Sequence, residues 1–153
     1  MNFRAIPVYL ANLGGIGRSP FAPGTVATAV IGIPAACILS RLHEPFASLL
    51  VAIAFFLACY VSDVAERELG RTDPGEVVID ELVGFLVTML GLPLTVESVA
   101  AGVFAFRLFD IWKPWPVRAL QENLRGGLAI VMDDVGAGIY AHALVWLFLH
   151  ACT

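Results

Sequence analysis

The chain has 153 residues, of which 59% are apolar and only 14% charged, with a formal net charge of −4. A typical soluble domain is roughly 45–50% apolar and about 25% charged. This length therefore fits one domain, residues 1–153, whose apolar surface exceeds what a soluble core of that size can hide, and the chain reads as membrane-embedded. The negative balance argues against a nucleic-acid partner, which would favour a basic face. Cys37, Cys59 and Cys152 form no C-x-x-C pair. Their odd number argues against a disulfide framework, and no zinc site is readable.

Met1 to Leu13 has one basic residue and a Pro-broken apolar stretch. That is a poor signal peptide but an acceptable amphipathic segment for a membrane surface. Gly14 to Gly24, Gly-Gly-Ile-Gly-Arg-Ser-Pro-Phe-Ala-Pro-Gly, is a loop by its Gly and Pro content. It carries Arg18 and Ser19 and leads into a helix near Thr25, where backbone N–H groups would attract phosphate. A plain interfacial turn is the other reading of the same residues. Thr25 to Ser40 is apolar and uncharged, and with Pro20–Gly24 it approaches spanning length. The break Arg41-Leu42-His43-Glu44-Pro45 joins it to a second spanning segment, Phe46 to Ser62, as an antiparallel hairpin.

Asp63 to Glu81 is the most polar stretch. A third apolar segment, Leu82 to Phe106, is interrupted by Pro93 and Glu97. It reads as two short helices, each about 16 Å long and too short to span alone. Arg107 to Gly126 reads as a second polar loop, with Arg107, Lys113, Arg118 and Arg125. Gly127 to His150 is the last apolar helix, carrying Asp133 and Asp134 in its first third. The expected fold is all-α: an integral membrane helical bundle of about four hydrophobic segments, the third (82–106) broken at Pro93.

Basic residues set the expected orientation. Arg4 and Arg18 precede the first helix, Arg67 and Arg71 follow the second, and four more fill the 107–126 loop. The positive-inside rule puts all three groups in the cytoplasm. Four simple spans would put the last group outside, and a broken, re-entrant 82–106 segment removes the conflict. The tryptophans and tyrosines lie near expected helix ends, as an interfacial aromatic belt requires. His142 and His150 read as packing or interfacial residues.

Seven of the thirteen acidic residues fall in three places. Asp73, Glu76, Asp80 and Glu81 lie in one run, and on a helix positions 73, 76 and 80 share a face. Asp73 and Glu76 also suit a capping box with Pro74 at the first helical position. Asp110 stands beside Lys113, an i,i+3 partner. Asp133 and Asp134 sit inside an apolar helix, where each carboxylate costs about 2.5–3.5 kcal/mol near the bilayer centre. Two adjacent carboxylates also repel, and a divalent cation would compensate both. All-oxygen ligands suit Mg²⁺ or Mn²⁺ rather than zinc. A cation held this way bridges to a phosphate, polarises phosphorus and activates water. Arg107 and Lys113 would neutralise phosphate oxygens, or anchor the chain at lipid headgroups.

Four stretches together resemble the phosphatidylglycerophosphatase A family of Mg²⁺-dependent bacterial membrane phosphatases. They are Gly15-Ile16-Gly17-Arg18-Ser19-Pro20-Phe21-Ala22-Pro23-Gly24-Thr25, the Asp73–Gly84 run, Phe106 to Pro116, and Gly126 through Gly138. The resemblance implies an all-helical fold. It implies hydrolysis of phosphatidylglycerophosphate to phosphatidylglycerol and inorganic phosphate at the inner membrane, the last step of phosphatidylglycerol synthesis. Matched by position, it implies Asp73, Glu76, Asp80, Glu81, Asp110, Asp133 and Asp134 as metal-site residues, with Asp80, Asp133 and Asp134 closest to the chemistry. Arg18, Ser19, Arg107 and Lys113 are the implied phosphate binders. Residues 41–62 match only in hydrophobicity. The rival from another class is a small cation transporter or channel subunit using intramembrane Asp133 and Asp134; a third is a non-catalytic membrane assembly factor.

Overall fold

The computed structural model describes residues 5–151; Arg4 and Cys152 lie outside them. Every regular element among the described residues is a helix. Helix α1 is Ala5–Ala11. The chain then makes a 3₁₀ turn, Leu13–Arg18, in which Gly14 and Gly15 take positive φ angles of 72° and 109°. α2 (Pro23–Ala27), a π-helical turn (Thr28–Gly32) and α3 (Ile33–Leu39) run on as one apolar rod. Pro34 accounts for the wide turn, since its ring crowds the carbonyl four residues back and it donates no hydrogen bond. The rod falls short of the ~20 residues a span needs, so the first expected span is shorter than the sequence suggested.

α4 spans Glu44–Leu69, starting with Pro45 in its first turn and ending on Gly70 at φ +63°. It continues past Ser62, where the apolar run stops. Ala65, Glu66 and Arg67 are good helix formers, and Asp63 pairs with Arg67 one turn on at 2.7 Å. α5 is Ile79–Met89, α6 is Val96–Trp112, α7 is Val117–Asn123 and α8 is Gly127–Ala151. Two expectations fail here. Asp73 has a positive φ of 48° and the helix begins only at Ile79, so Asp73 is no N-cap and 73, 76 and 80 do not share a helical face. The Val78 amide donates to the Ala11 carbonyl at 3.0 Å, which pins this segment to α1, and a turn closed by the Val77 amide on the Pro74 carbonyl at 2.8 Å stands in place of the expected helix. The 107–126 stretch is also not simply a loop, because α6 carries Arg107 and Asp110 on its last turns and α7 follows.

The expected break near Pro93 is present. α5 and α6 form a hairpin that turns between Leu90 and Thr95. The Thr95 and Ser98 side chains reciprocally cap the start of α6. α8 is the central helix, packed against α4, α5, α6 and α7. It runs beside α5 in the same direction: Gly84 faces Asp134 and Gly138, and His142 Nδ1 lies 3.1 Å from the Thr88 carbonyl. α6 returns antiparallel, with Gly102 on Met89 and Phe106 against Gly84. The hairpin therefore delivers Asp80 and Asp110 to the same end of the bundle.

Small residues make these crossings possible. A Cβ on Gly127 would stand 1.9 Å from the Cys59 carbonyl oxygen, and one on Gly138 2.4 Å from that of Gly84. Phe85 and Phe106 fill the core edge to face at 6.4 Å. Outside, α4 presents Leu49, Ile53, Phe56, Leu57 and Tyr60, and α8 presents Ile139, Leu147 and Phe148. An apolar face of that extent calls for an apolar neighbour. α4 and α8 are the two described helices long and apolar enough to cross a membrane.

Gly127→Ala tests the α4–α8 crossing. The helix-propensity gain of roughly 0.5–1 kcal/mol is smaller than the roughly 1–3 kcal/mol cost of forced overpacking, so thermal stability in detergent should fall. Gly75→Ala, with nothing within 4 Å of the added Cβ, is the control and should melt like wild type. Equal melting of the two variants would show that the helices do not cross there.

Candidate active site

Three helices bring carboxylates together at one end of the bundle. Asp80 and Glu81 come from the first turn of α5, Asp110 from the last turns of α6, and Asp133 and Asp134 from α8. Asp80, Asp133 and Asp134 are buried, at 8%, 5% and 5% exposure. Asp134 feels the charges of Asp80, Asp110, Glu81 and Asp133, and Asp133 those of Asp110 and Asp73. Asp73 thus lies near the cluster from its exposed turn. Glu76 is turned aside, its carboxylate 2.8 Å from Arg71 Nη2.

Two cations are built into the cluster. Arg107 donates from Nη2 to Glu81 Oε2 and from Nη1 to Asp110 Oδ2, the latter at 3.1 Å. Lys113 Nζ donates to Asp133 Oδ2. The two expected phosphate ligands on this side are therefore held by carboxylates. Lys113 ends α6 at φ +46°, and that left-handed residue turns its ammonium back toward α8.

α5, at eleven residues, is too short to cross a bilayer, and its acids show the effect of burial plainly. Asp80 is pushed well above the ordinary carboxylate range by burial, and then by the charges of Glu81 and Asp73. Glu81 is raised by burial and partly restored by Arg107. Burial lowers Lys113, but its hydrogen bond to Asp133 and the surrounding carboxylates outweigh that and leave it raised.

The glycine loop closes over the same place. A Cβ on Gly17 would stand 1.8 Å from the Glu76 carbonyl oxygen, and one on Gly24 1.4 Å from Glu81 Oε1. The sequence reading missed what holds this loop. Asn12 is buried, and its side-chain oxygen accepts from the Gly15 amide at 2.7 Å. An Asn three residues before a Gly is a legible cap signal. Arg18 is exposed at the end of the 3₁₀ turn. Ser19 is engaged locally, its hydroxyl donating to the Phe21 carbonyl at 3.0 Å.

Among the described residues, no three acidic, cysteine or histidine side chains stand close enough, as placed, to hold one metal ion. The donor chemistry nevertheless suits a hard cation. Asp80 Oδ1, Asp133 Oδ1 and Asp134 Oδ2 are buried oxygens with no hydrogen-bond partner. Orphaned buried carboxylate oxygens are costly, and accepting a cation satisfies them.

An all-helical chain with two membrane-length helices and a buried carboxylate centre at their foot is the class these features define. Residues 9–149 match the family model described as Phosphatidylglycerophosphatase A. The chain is 34% identical over 146 residues to the phosphatidylglycerophosphatase A of Escherichia coli K12, covering 94% of this chain and 84% of that protein. It is 35% identical over 142 residues to the Haemophilus influenzae protein of the same name, covering 92% and 87%. A Bacteroides thetaiotaomicron protein carrying a provisional phosphatidylinositol-3-phosphatase name is 36% identical over 149 residues, covering 92% and 91%. No solved structure matches the chain. The chain belongs to the phosphatidylglycerophosphatase A family, and with it to the lipid phosphatases.

Gly24→Ala tests the contact between loop and cluster. The added methyl must displace the Glu81 carboxylate, the end of a flexible side chain, so the fold should survive. Turnover should fall roughly ten-fold or more, as for a small misplacement of catalytic groups, while the melting temperature shifts by only a few degrees. Full turnover in a folded variant would detach Glu81 from the chemistry.

Proposed function

We infer that this chain hydrolyses phosphatidylglycerophosphate to phosphatidylglycerol and inorganic phosphate, with Mg²⁺ as cofactor. The observation that carries the reading is the set of three buried, unpartnered carboxylate oxygens on Asp80, Asp133 and Asp134, beside two cations of phosphate-binding type. The names of the relatives give the lipid.

Asp80, Asp133 and Asp134 would hold the ion, with Glu81, Asp110 and Asp73 around them, and Glu76 would join them only by leaving Arg71. Bound there, Mg²⁺ supplies positive charge that polarises the phosphoryl group and favours an ionised water. The chain's own residues do the rest. Arg107 is held in a fork by Glu81 and Asp110, so its guanidinium is already oriented for a phosphate oxygen. Lys113 shares its ammonium between Asp133 and the incoming phosphate, with Arg18 and Ser19 closing from the glycine loop. Burial lowers the local dielectric and strengthens each of these contacts.

The apolar faces of α4 and α8 support a multi-pass protein of the bacterial inner membrane. The basic residues clustered at the carboxylate end support an active site facing the cytoplasm.

Phosphate release from phosphatidylglycerophosphate in detergent should require Mg²⁺, stop with chelator, and drop by at least about 10²-fold in a folded Asp80→Asn variant. Release indifferent to chelator would remove the metal. No release from folded wild type with any divalent cation would favour the cation-transporter reading.

A second test needs no turnover. A carboxyl raised on folding favours the protonated native state, so without metal the Asp80 contribution to stability declines as pH rises toward its folded value. Mg²⁺ requires the carboxylate and competes with that proton. Added Mg²⁺ should therefore raise the melting temperature more as pH rises, and Asp80→Asn should weaken both the Mg²⁺ effect and its pH dependence. An Mg²⁺ effect of equal size in wild type and folded Asp80→Asn at every pH would exclude Asp80 as a ligand.

A further inference from the structure

A second cleft opens beside the carboxylate centre. It has a volume of about 450 Å³ and is lined by Trp112, Lys113, Pro114, Trp115, Arg118 and Ala119. Its ionisable lining is wholly basic. Lys113 is common to both places, since its ammonium reaches Asp133. Trp112 and Trp115 stand 68% and 81% exposed at its rim. The floor is fixed to the central helix: the Tyr140 hydroxyl donates to the Trp115 carbonyl at 2.9 Å, and Phe109 packs on both Trp112 and Tyr140.

These features suit one ligand chemistry. Exposed tryptophans settle at the headgroup level of a bilayer. A basic cleft between them accepts an anion at that depth. The substrate inferred for this chain has two phosphates, one glycerol apart: a terminal monoester that is cleaved and a diester that is not. A monoester at the carboxylate centre leaves its diester one glycerol away, on the lipid side.

We propose that the Trp112–Arg118 cleft is the subsite for the uncleaved phosphodiester, with Arg118 as its anion partner and Lys113 as the divide between the two phosphates. The proposal rests on the hydrolase reading and adds the device by which a diester-bearing lipid is selected. Arg118 touches no reacting atom in this arrangement, so it acts on binding. Arg118→Gln should raise KM for phosphatidylglycerophosphate about ten-fold, the loss of one charge-assisted contact, with kcat within about two-fold of wild type. Arg118→Lys should restore most of the KM. Arg41→Gln, at the opposite end of the bundle, should change neither.

Binding can be read without turnover. In a Trp146→Phe background, phosphatidylglycerol with brominated acyl chains should quench Trp112 and Trp115 in detergent micelles. Half-quenching should need about ten-fold more lipid in Arg118→Gln, on the same contact. Phosphatidic acid, anionic but bearing a monoester and no diester, should compete poorly. Equal competition by phosphatidic acid would make the cleft a general anionic-lipid anchor and overturn the proposal. So would an unchanged KM and unchanged quenching in folded Arg118→Gln. If that variant is too unstable to assay, the comparison of the two lipids on wild type decides. Arg118-dependent binding of phosphatidylglycerol by a wild type that releases no phosphate would keep the subsite and reject the hydrolase.

Discussion

Mutual repulsion among buried carboxylates is the constraint around which the rest of this molecule is arranged. Asp80, Glu81, Asp110, Asp133 and Asp134 face one another where water is scarce, and the built-in cations among them are Arg107 and Lys113. Each carboxylate removed from water costs several kcal/mol unless it is paired. Like charges at close range add to that. Arg107 pairs with Glu81 and Asp110 and Lys113 with one oxygen of Asp133, while Asp80 Oδ1, Asp133 Oδ1 and Asp134 Oδ2 stay without partners. A fold selected only for stability would have replaced them with apolar side chains. Their retention at the meeting point of three helices marks the place where binding energy is kept available for an ion and a phosphorylated ligand.

Bringing five carboxylates that close depends on how little separates the backbones. Gly84, Gly127 and Gly138 let α8 approach α5 and α4 to distances a side chain would forbid. Gly17 and Gly24 do the same for the N-terminal loop over Glu76 and Glu81. In an apolar medium, association of helices rests on such close packing, because the solvent offers no hydrophobic drive between them. The same small residues therefore serve stability along the bundle and geometry at its polar end.

The apolar and polar surfaces divide along the same axis. α4 and α8 carry their large exposed aliphatic and aromatic side chains along their length, while most of the basic and acidic residues gather where α5 and α8 begin and α4 and α6 end, with Arg41, Glu44 and Glu97 at the other end. A lipid substrate presents its parts in the same order, chains beside helices and phosphate beside charge. Trp112 and Trp115 stand at the border between the two.

Much of this was legible in the residues. Composition showed that a soluble core could not absorb the apolar surface. The runs at 46–62 and 127–150, the interruption at Pro93 and the isolated Asp133-Asp134 pair followed from hydropathy and from the cost of buried charge. Periodicity misled at Asp73–Asp80. A helix there was plausible locally, but Val78 is bonded to Ala11 of α1 and the residues before it form a turn, and no local pattern encodes a partner so distant in the chain. It also missed the helical turns that carry Arg107 and Asp110, since charge alone read as loop. Sequence by itself determined which segments are apolar and which residues carry charge, because burial preference and residue chemistry are local properties. Only the tertiary structure decided that the carboxylates of three helices converge, that Arg107 and Lys113 are their partners, and that a basic cleft adjoins them. Those facts depend on helix crossings set by glycines far apart in the chain.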